Sequence, residues 1–118
     1  MAQKSFGNRN SSKTASEYLT IPSGTSTSDH IDVAGRSPIG FIIPSAMTGT
    51  SIKVQASVNG SNFYDLYYNG VAVTFPATVS TWQALPPAAL AGVGFIQLVS
   101  NGTEAAAREI RVIGYEIG

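Results

Sequence analysis

The sequence predicts an all-β protein: an antiparallel β-sandwich, jelly-roll-like, of eight or nine short strands behind a flexible N-terminal extension. Three observations carry this. From Glu17 onward, strand-like segments recur at short intervals between explicit turn residues. None of them has the length and period of a long amphipathic helix. Residues 51–75 hold two Asn-Gly turn signals, Asn59-Gly60 and Asn69-Gly70, between three segments of strand-like alternation, which reads as a β-meander. One sheet cannot bury so many apolar faces, so two layers are expected. A closed barrel fits the same pattern, and strand order is left open.

Residues 1–16 are rich in Ser, Asn, Lys and Gln, with Phe6 their one aromatic. So little apolar surface cannot offset the entropy of ordering, and the segment reads as a flexible arm, either disordered or ordered against a neighbouring subunit. The folded domain is expected over residues 17–118. Tyr18-Leu19-Thr20-Ile21 forms a first strand, ended by Pro22 and Gly24, and Ile31-Asp32-Val33 a second, ended by Gly35. Ile39-Gly40-Phe41-Ile42-Ile43 is apolar at nearly every position and bracketed by Pro38 and Pro44, as in a central strand covered on both faces. Pro44-Ser45-Ala46-Met47 suits one helical turn.

In the next strand Ile52, Val54, Ala56 and Val58 share one face and Lys53, Gln55 and Ser57 the other, the period of a half-buried ribbon. Asn-Gly tolerates the positive φ of tight hairpins, so residues 63–68 should return antiparallel and residues 71–75 follow as a third strand. Thr81-Trp82-Gln83-Ala84-Leu85 reads as a strand and residues 86–92 as a second helical turn. Phe95-Ile96-Gln97-Leu98-Val99, ending at Asn101-Gly102, and residues 108–117, with Ile110 and Val112 alternating against Glu109 and Arg111, close the domain.

A chain of 118 residues suits one domain able to bury roughly two-thirds of its unfolded surface. Only 12% of residues are charged, against about 25% in an average globular protein, and small polar residues stand in their place. That composition fits a β-rich surface protein, and equally one whose flanks are covered by partners, because charge is depleted in interface cores. The formal net charge is zero, so no global field steers the chain to nucleic acid. Residues 1–17 carry Lys4, Arg9 and Lys13 against Glu17, a net +2, leaving −2 on the remainder. With no cysteine, disulfides, thiol chemistry and thiolate zinc sites are excluded. No apolar run approaches a membrane span and the start Met-Ala-Gln-Lys-Ser lacks the apolar core of a secretory signal, so a soluble, unsecreted protein without membrane contact is expected.

The chemical inventory is thin. His30 is the one histidine, beside Asp29 and Asp32. In an extended segment neighbouring side chains point to opposite sides, so both carboxylates cannot easily meet the ring, and the trio reads as a polar turn feeding a strand. No Gly-x-Ser-x-Gly elbow accompanies the many serines. A glycosidase would need two carboxyl groups about 5–10 Å apart, and nothing marks such a pair among Glu17, Asp29, Asp32, Asp65, Glu104, Glu109 and Glu116. Gly92-Val93-Gly94 precedes a strand rather than a helix, unlike a phosphate loop. No catalytic residue, cofactor or metal site is therefore expected. Of Phe63, Tyr64, Tyr67, Tyr68, Phe75 and Trp82, most are expected in the core. Alternation through residues 63–68 brings some to the surface, where they would anchor a protein or stack on a glycan.

Several blocks in order resemble small virion proteins encoded beside the major capsid protein in tailed bacteriophages. They are Ile21-Pro22-Ser23-Gly24, Ile31-Asp32-Val33-Ala34-Gly35 and Gly40-Phe41-Ile42-Ile43-Pro44-Ser45-Ala46-Met47-Thr48. Downstream, Ile52-Lys53-Val54-Gln55-Ala56-Ser57 with Asn59-Gly60 and Phe63-Tyr64-Asp65-Leu66-Tyr67 are similar to the central signature. Ala84-Leu85-Pro86-Pro87-Ala88-Ala89-Leu90-Ala91-Gly92 with Phe95-Ile96-Gln97-Leu98 is similar to the closing block. The resemblance covers most of residues 20–113. It implies a capsid decoration, or cement, protein: a β-sandwich homo-oligomer, dimer or trimer, on the outer surface of the virion capsid, whose partner is the major capsid protein. The basic arm, with Lys4, Phe6, Arg9 and Lys13, is the expected shell or subunit contact. A glycan-binding module using Tyr67, Tyr68 and Trp82, and a head-fibre or tail component, are the competing expectations.

Overall fold

A computed structural model describes residues 12–33 and 36–117 of the chain. Eleven strands run in chain order: β1 (Ser12–Ile21), β2 (Thr27–Asp32), β3 (Arg36–Ile42), β4 (Ser51–Ser57), β5 (Tyr64–Asp65), β6 (Tyr67–Tyr68), β7 (Val71–Ala72), β8 (Thr74–Pro76), β9 (Trp82–Ala84), β10 (Phe95–Ser100) and β11 (Arg108–Ile117). A 3-10 helix, Pro87–Leu90, precedes β10. One sheet has the order β1-β11-β3-β9 and the other β2-β10-β4-β5, with β8 also on β4, while β6 and β7 pair with each other. Apart from the run β4 to β8, successive strands switch sheets, and the first strands lie beside the last, β1 with β11 and β2 with β10. This is a jelly roll of two antiparallel sheets, not a closed barrel.

Alternation decides what is buried. Leu19, Ile21, Phe41, Ile110 and Val112 face inward from one sheet and Ile52, Val54, Phe75, Ile96 and Leu98 from the other, forming one apolar cluster with Val33, Ile43, Leu85 and Leu90. Phe41 and Phe75 stack across the layers with ring centroids 4.9 Å apart. β3 is the interior strand its composition predicts, lying between β11 and β9.

Several expectations are corrected. β1 starts at Ser12 and pairs with β11 from Ser12 opposite Ile117, so residues 12–16 belong to a sheet rather than to the arm: backbone pairing orders them where composition does not. Among the described residues the strands number eleven rather than eight or nine, because the meander is broken. β5 and β8 lie along the same edge of β4, through Gln55 opposite Asp65 and Ile52 opposite Phe75. The third segment therefore returns to β4 instead of adding outside the second, and residues 67–72 stand out as a separate hairpin. Asn59-Gly60 makes no two-residue turn either. Ser57 Oγ accepts from the Asn59 and Gly60 amides, while Asn59 Oδ1 accepts from Ser61 and Asn62, and this builds a longer loop. Residues 44–47 form no helical turn, and β2 begins before His30, placing Asp29 and His30 in a strand.

Candidate docking surface

The hairpin β6–β7 is built from its turn outward. Asn69 and Gly70 both have positive φ, 54° and 77°, the type I′ geometry that matches the twist of paired strands. Tyr67 lies opposite Ala72 and Tyr68 opposite Val71. At the base, Val73 N–H donates to Leu66 O, Leu66 N–H to Val54 O and Val54 N–H to Val73 O. Leu66 and Val73 pack on the core, so the hairpin is rooted by apolar contact and by β4.

What it presents is mostly ring surface. Tyr64 is 69% exposed and Tyr67 61%, with Tyr68 and Val71 exposed beside them. Between the hairpin and the facing sheet edge lies an open cleft of about 190 Å³, lined by Tyr68, Val71, Phe75, Leu85, Pro86 and Ala89 among others. Trp82 is 54% exposed, and Ala84, two residues along β9, lines that cleft. Tyrosine and tryptophan give large contact area at small entropic cost, which makes such surfaces suited to docking. The expectation that most of the six aromatics are core is thus overturned: of them only Phe75 is buried. Tyr64 sits on the open edge of its sheet in the short strand β5, and Tyr67 and Tyr68 have left that sheet for the β6–β7 hairpin, so alternation does not carry these rings between the layers.

The outer faces of the two sheets differ in chemistry. Register aligns Tyr18, Arg111, Ile42 and Trp82 in one row across all four strands of the β1 sheet, with the Arg111 guanidinium 6.0 Å from the Tyr18 ring centroid. The other sheet carries a polar row. Gln97 Nε2 donates to Gln55 Oε1, Gln55 Nε2 donates to Asp65, and Lys53 Nζ lies 3.2 Å from Asp65 Oδ1. The Gln55 amide first, and then Lys53, hold the Asp65 carboxyl below its usual range.

Of the residues expected to make contact, Lys4, Phe6 and Arg9 lie outside the described residues, and Lys13 sits in β1 opposite Glu116. His30 packs against Phe63 and Phe95 at centroid distances of 5.4 and 5.8 Å, while the Asp29 carboxylate accepts the Thr20 N–H. Among the described residues no three His, Cys, Asp or Glu gather as a metal set.

Sequence reasoning missed Glu104, whose side chain is 0% exposed. It accepts from the Thr48 and Gly49 amides, the Ser100 hydroxyl and Arg108 Nε. Its own backbone bonds to Gly24 and Thr25. Three loops at one end of the sandwich are thus clipped together. Burial pushes the carboxyl up, but the Thr48 amide, Ser100 hydroxyl, Gly49 amide and Arg108 outweigh it and hold the pKa at about 2. The one hint in the sequence is a carboxylate between two turns, followed four residues on by Arg108.

No family model and no curated protein matches this chain. Among solved structures, the crystal structure of the SPBc2 prophage-derived protein YomS is similar, with a TM-score of 0.65 over 92% of this chain and 97% of that one, at 10% sequence identity. The jelly roll is therefore shared with a prophage-derived protein.

Proposed function

We propose that the protein is a structural virion component that docks on the outer surface of a phage capsid and ties neighbouring capsomers together, as a decoration protein does. The observation that carries this reading is the projecting hairpin with Tyr67, Tyr68 and Val71 exposed beside an apolar cleft, and Tyr64 exposed on the adjoining sheet edge. An exposed apolar patch on a small domain marks an interaction site. The fold shared with a prophage-derived protein supports the viral setting, as does the order of sequence blocks resembling small virion proteins. The action is mechanical rather than enzymatic: each bound copy adds interfaces that must break before capsomers separate, and repetition over the shell multiplies modest contacts. A dimer or trimer would bridge more than one capsomer at once. The arm bearing Lys4, Phe6 and Arg9, continued by Lys13 at the start of β1, supplies a further contact in this scheme.

The test is co-sedimentation with undecorated capsids of the phage that encodes it. Saturable binding at a fixed ratio, a shell that ruptures at higher temperature, and loss of both in Tyr67→Ala/Tyr68→Ala are expected. No binding by the folded protein refutes the reading. The exposure of Tyr67 and Trp82 also favours a glycan-stacking module, and retention on a glycan array, abolished by Trp82→Ala, would put that reading first.

A further inference from the structure

We propose that Asn69 is a site of spontaneous deamidation, which the fold permits at the apex of the β6–β7 hairpin and blocks at the chain's other two Asn-Gly pairs. The reaction is intramolecular. The Gly70 amide nitrogen, after losing its proton to hydroxide, attacks Asn69 Cγ; the new N–Cγ bond forms as Cγ–Nδ2 breaks, and ammonia leaves with a proton from water. Water then opens the cyclic imide at either carbonyl, giving aspartate or isoaspartate at position 69. No oxidant, reductant or cofactor takes part. Asn-Gly is the susceptible pair because glycine has no Cβ to shield its amide, and tethering of the two reacting groups supplies the rate advantage of an intramolecular attack.

The three pairs differ in what holds those groups. At Asn59, the Gly60 amide donates to Ser57 Oγ at 2.9 Å, and Asn59 Oδ1 accepts from Ser61, Asn62 and Ser57 Oγ at 2.9, 3.0 and 3.1 Å. At Asn101, Oδ1 accepts from the Thr50 and Ser51 amides at 2.8 and 3.3 Å, and Nδ2 donates to Thr50 Oγ1 at 2.9 Å. The Gly102 amide there donates to Ser100 Oγ at 3.3 Å. Nucleophile and electrophile are tied down at both. Asn69 is exposed, and among the described residues neither its side chain nor the Gly70 amide has such a bond. The hairpin around it has two ladder pairs, so it opens locally at low cost and lets the backbone leave the turn geometry. The product replaces a neutral amide by a carboxylate next to Tyr68. If the docking reading above holds, that charge ages the docking surface, but the modification itself does not depend on that reading.

The experiment is peptide mapping by mass spectrometry of the folded full chain, incubated in warm, mildly alkaline buffer, with a urea-unfolded sample alongside. Expected is conversion at Asn69 at least roughly tenfold faster than at Asn59 or Asn101, since each of those must first release more than one hydrogen bond, and comparable rates at all three in urea. Ser57→Ala removes the oxygen that holds the Gly60 amide and should accelerate conversion at Asn59 while leaving Asn69 unchanged. Equal rates at the three sites in the folded chain, or an unmodified Asn69 when the urea sample has converted, would overturn the proposal; so would an unchanged Asn59 rate in the folded variant. Capsid binding by fresh and aged protein is a separate readout, so failure of the docking reading leaves the mass result standing.

Discussion

Glu104→Gln probes the clip that joins three loops at one end of the sandwich. The wild-type carboxyl has a folded pKa of about 2, against an ordinary 4.5. Because the folded value is the lower one, the charged form contributes stability that is complete above about pH 5 and lost as the pH falls toward 2. At about 1.4 kcal/mol per unit, that contribution is about 3 kcal/mol. Gln keeps the size and one acceptor but has no charge to titrate. Urea unfolding followed by circular dichroism from neutral to strongly acid pH should therefore show the variant about 3 kcal/mol less stable at neutral pH, with the gap closing as the wild type protonates. Glu104→Ala should cost more, on the order of 3–5 kcal/mol, because it strands the Arg108 guanidinium and the part-buried Thr48 and Gly49 amides. Parallel stability curves for wild type and Glu104→Gln across the whole range would refute the reasoning.

Three further outcomes are expected. Phe41→Ala removes a 0%-exposed ring stacked on Phe75 and should lower the unfolding free energy by about 3–5 kcal/mol in urea titration. Gly40→Ala places a Cβ 2.2 Å from Trp82 Nε1, so the indole must swing away; a shift in Trp82 emission with the overall fold retained is the expected reading. Gly49→Ala drives a Cβ to 2.0 Å from Ser100 Oγ and 3.2 Å from Glu104 Oε2, and should cost about 1–3 kcal/mol in thermal unfolding, less in a Glu104→Gln background where the clip is already weakened.

The strands that alternate against a buried layer were legible: Ile52 and Val54, Ile96 and Leu98, and Ile110 and Val112 all point inward as their spacing requires. So was the apolar run through Phe41, an interior strand, and the Asn69-Gly70 turn with its positive φ pair. Local signals failed where side chains or distant partners decide. Asn59-Gly60 yields to Ser57 Oγ, which captures both amides. Residues 12–16 lack apolar content but gain a full ladder from β11, about a hundred residues away. The exposed tyrosines have the composition of a buried strand, and only the edge position of Tyr64 and the departure of residues 67–68 from the sheet turn them outward. Glu104 gathers donors from residues 48, 49, 100 and 108, a convergence that spacing along the chain does not encode.

The insertion of β11 between β1 and β3 has a consequence for synthesis. Until residues 108–117 leave the ribosome, β1 has no ladder partner and one flank of β3 is bare, so the first sheet cannot close however much of the chain has emerged. The β10–β4 ribbon, whose two strands meet in six consecutive register pairs, is complete earlier and offers a template on which the late strand can settle. Pairings this distant in sequence fold slowly and leave unpaired edges exposed meanwhile. A nascent chain halted before position 108 should thus be protease-sensitive and prone to associate through β1 and β3, and emergence of residues 108–117 should convert it to the protected state in a single step.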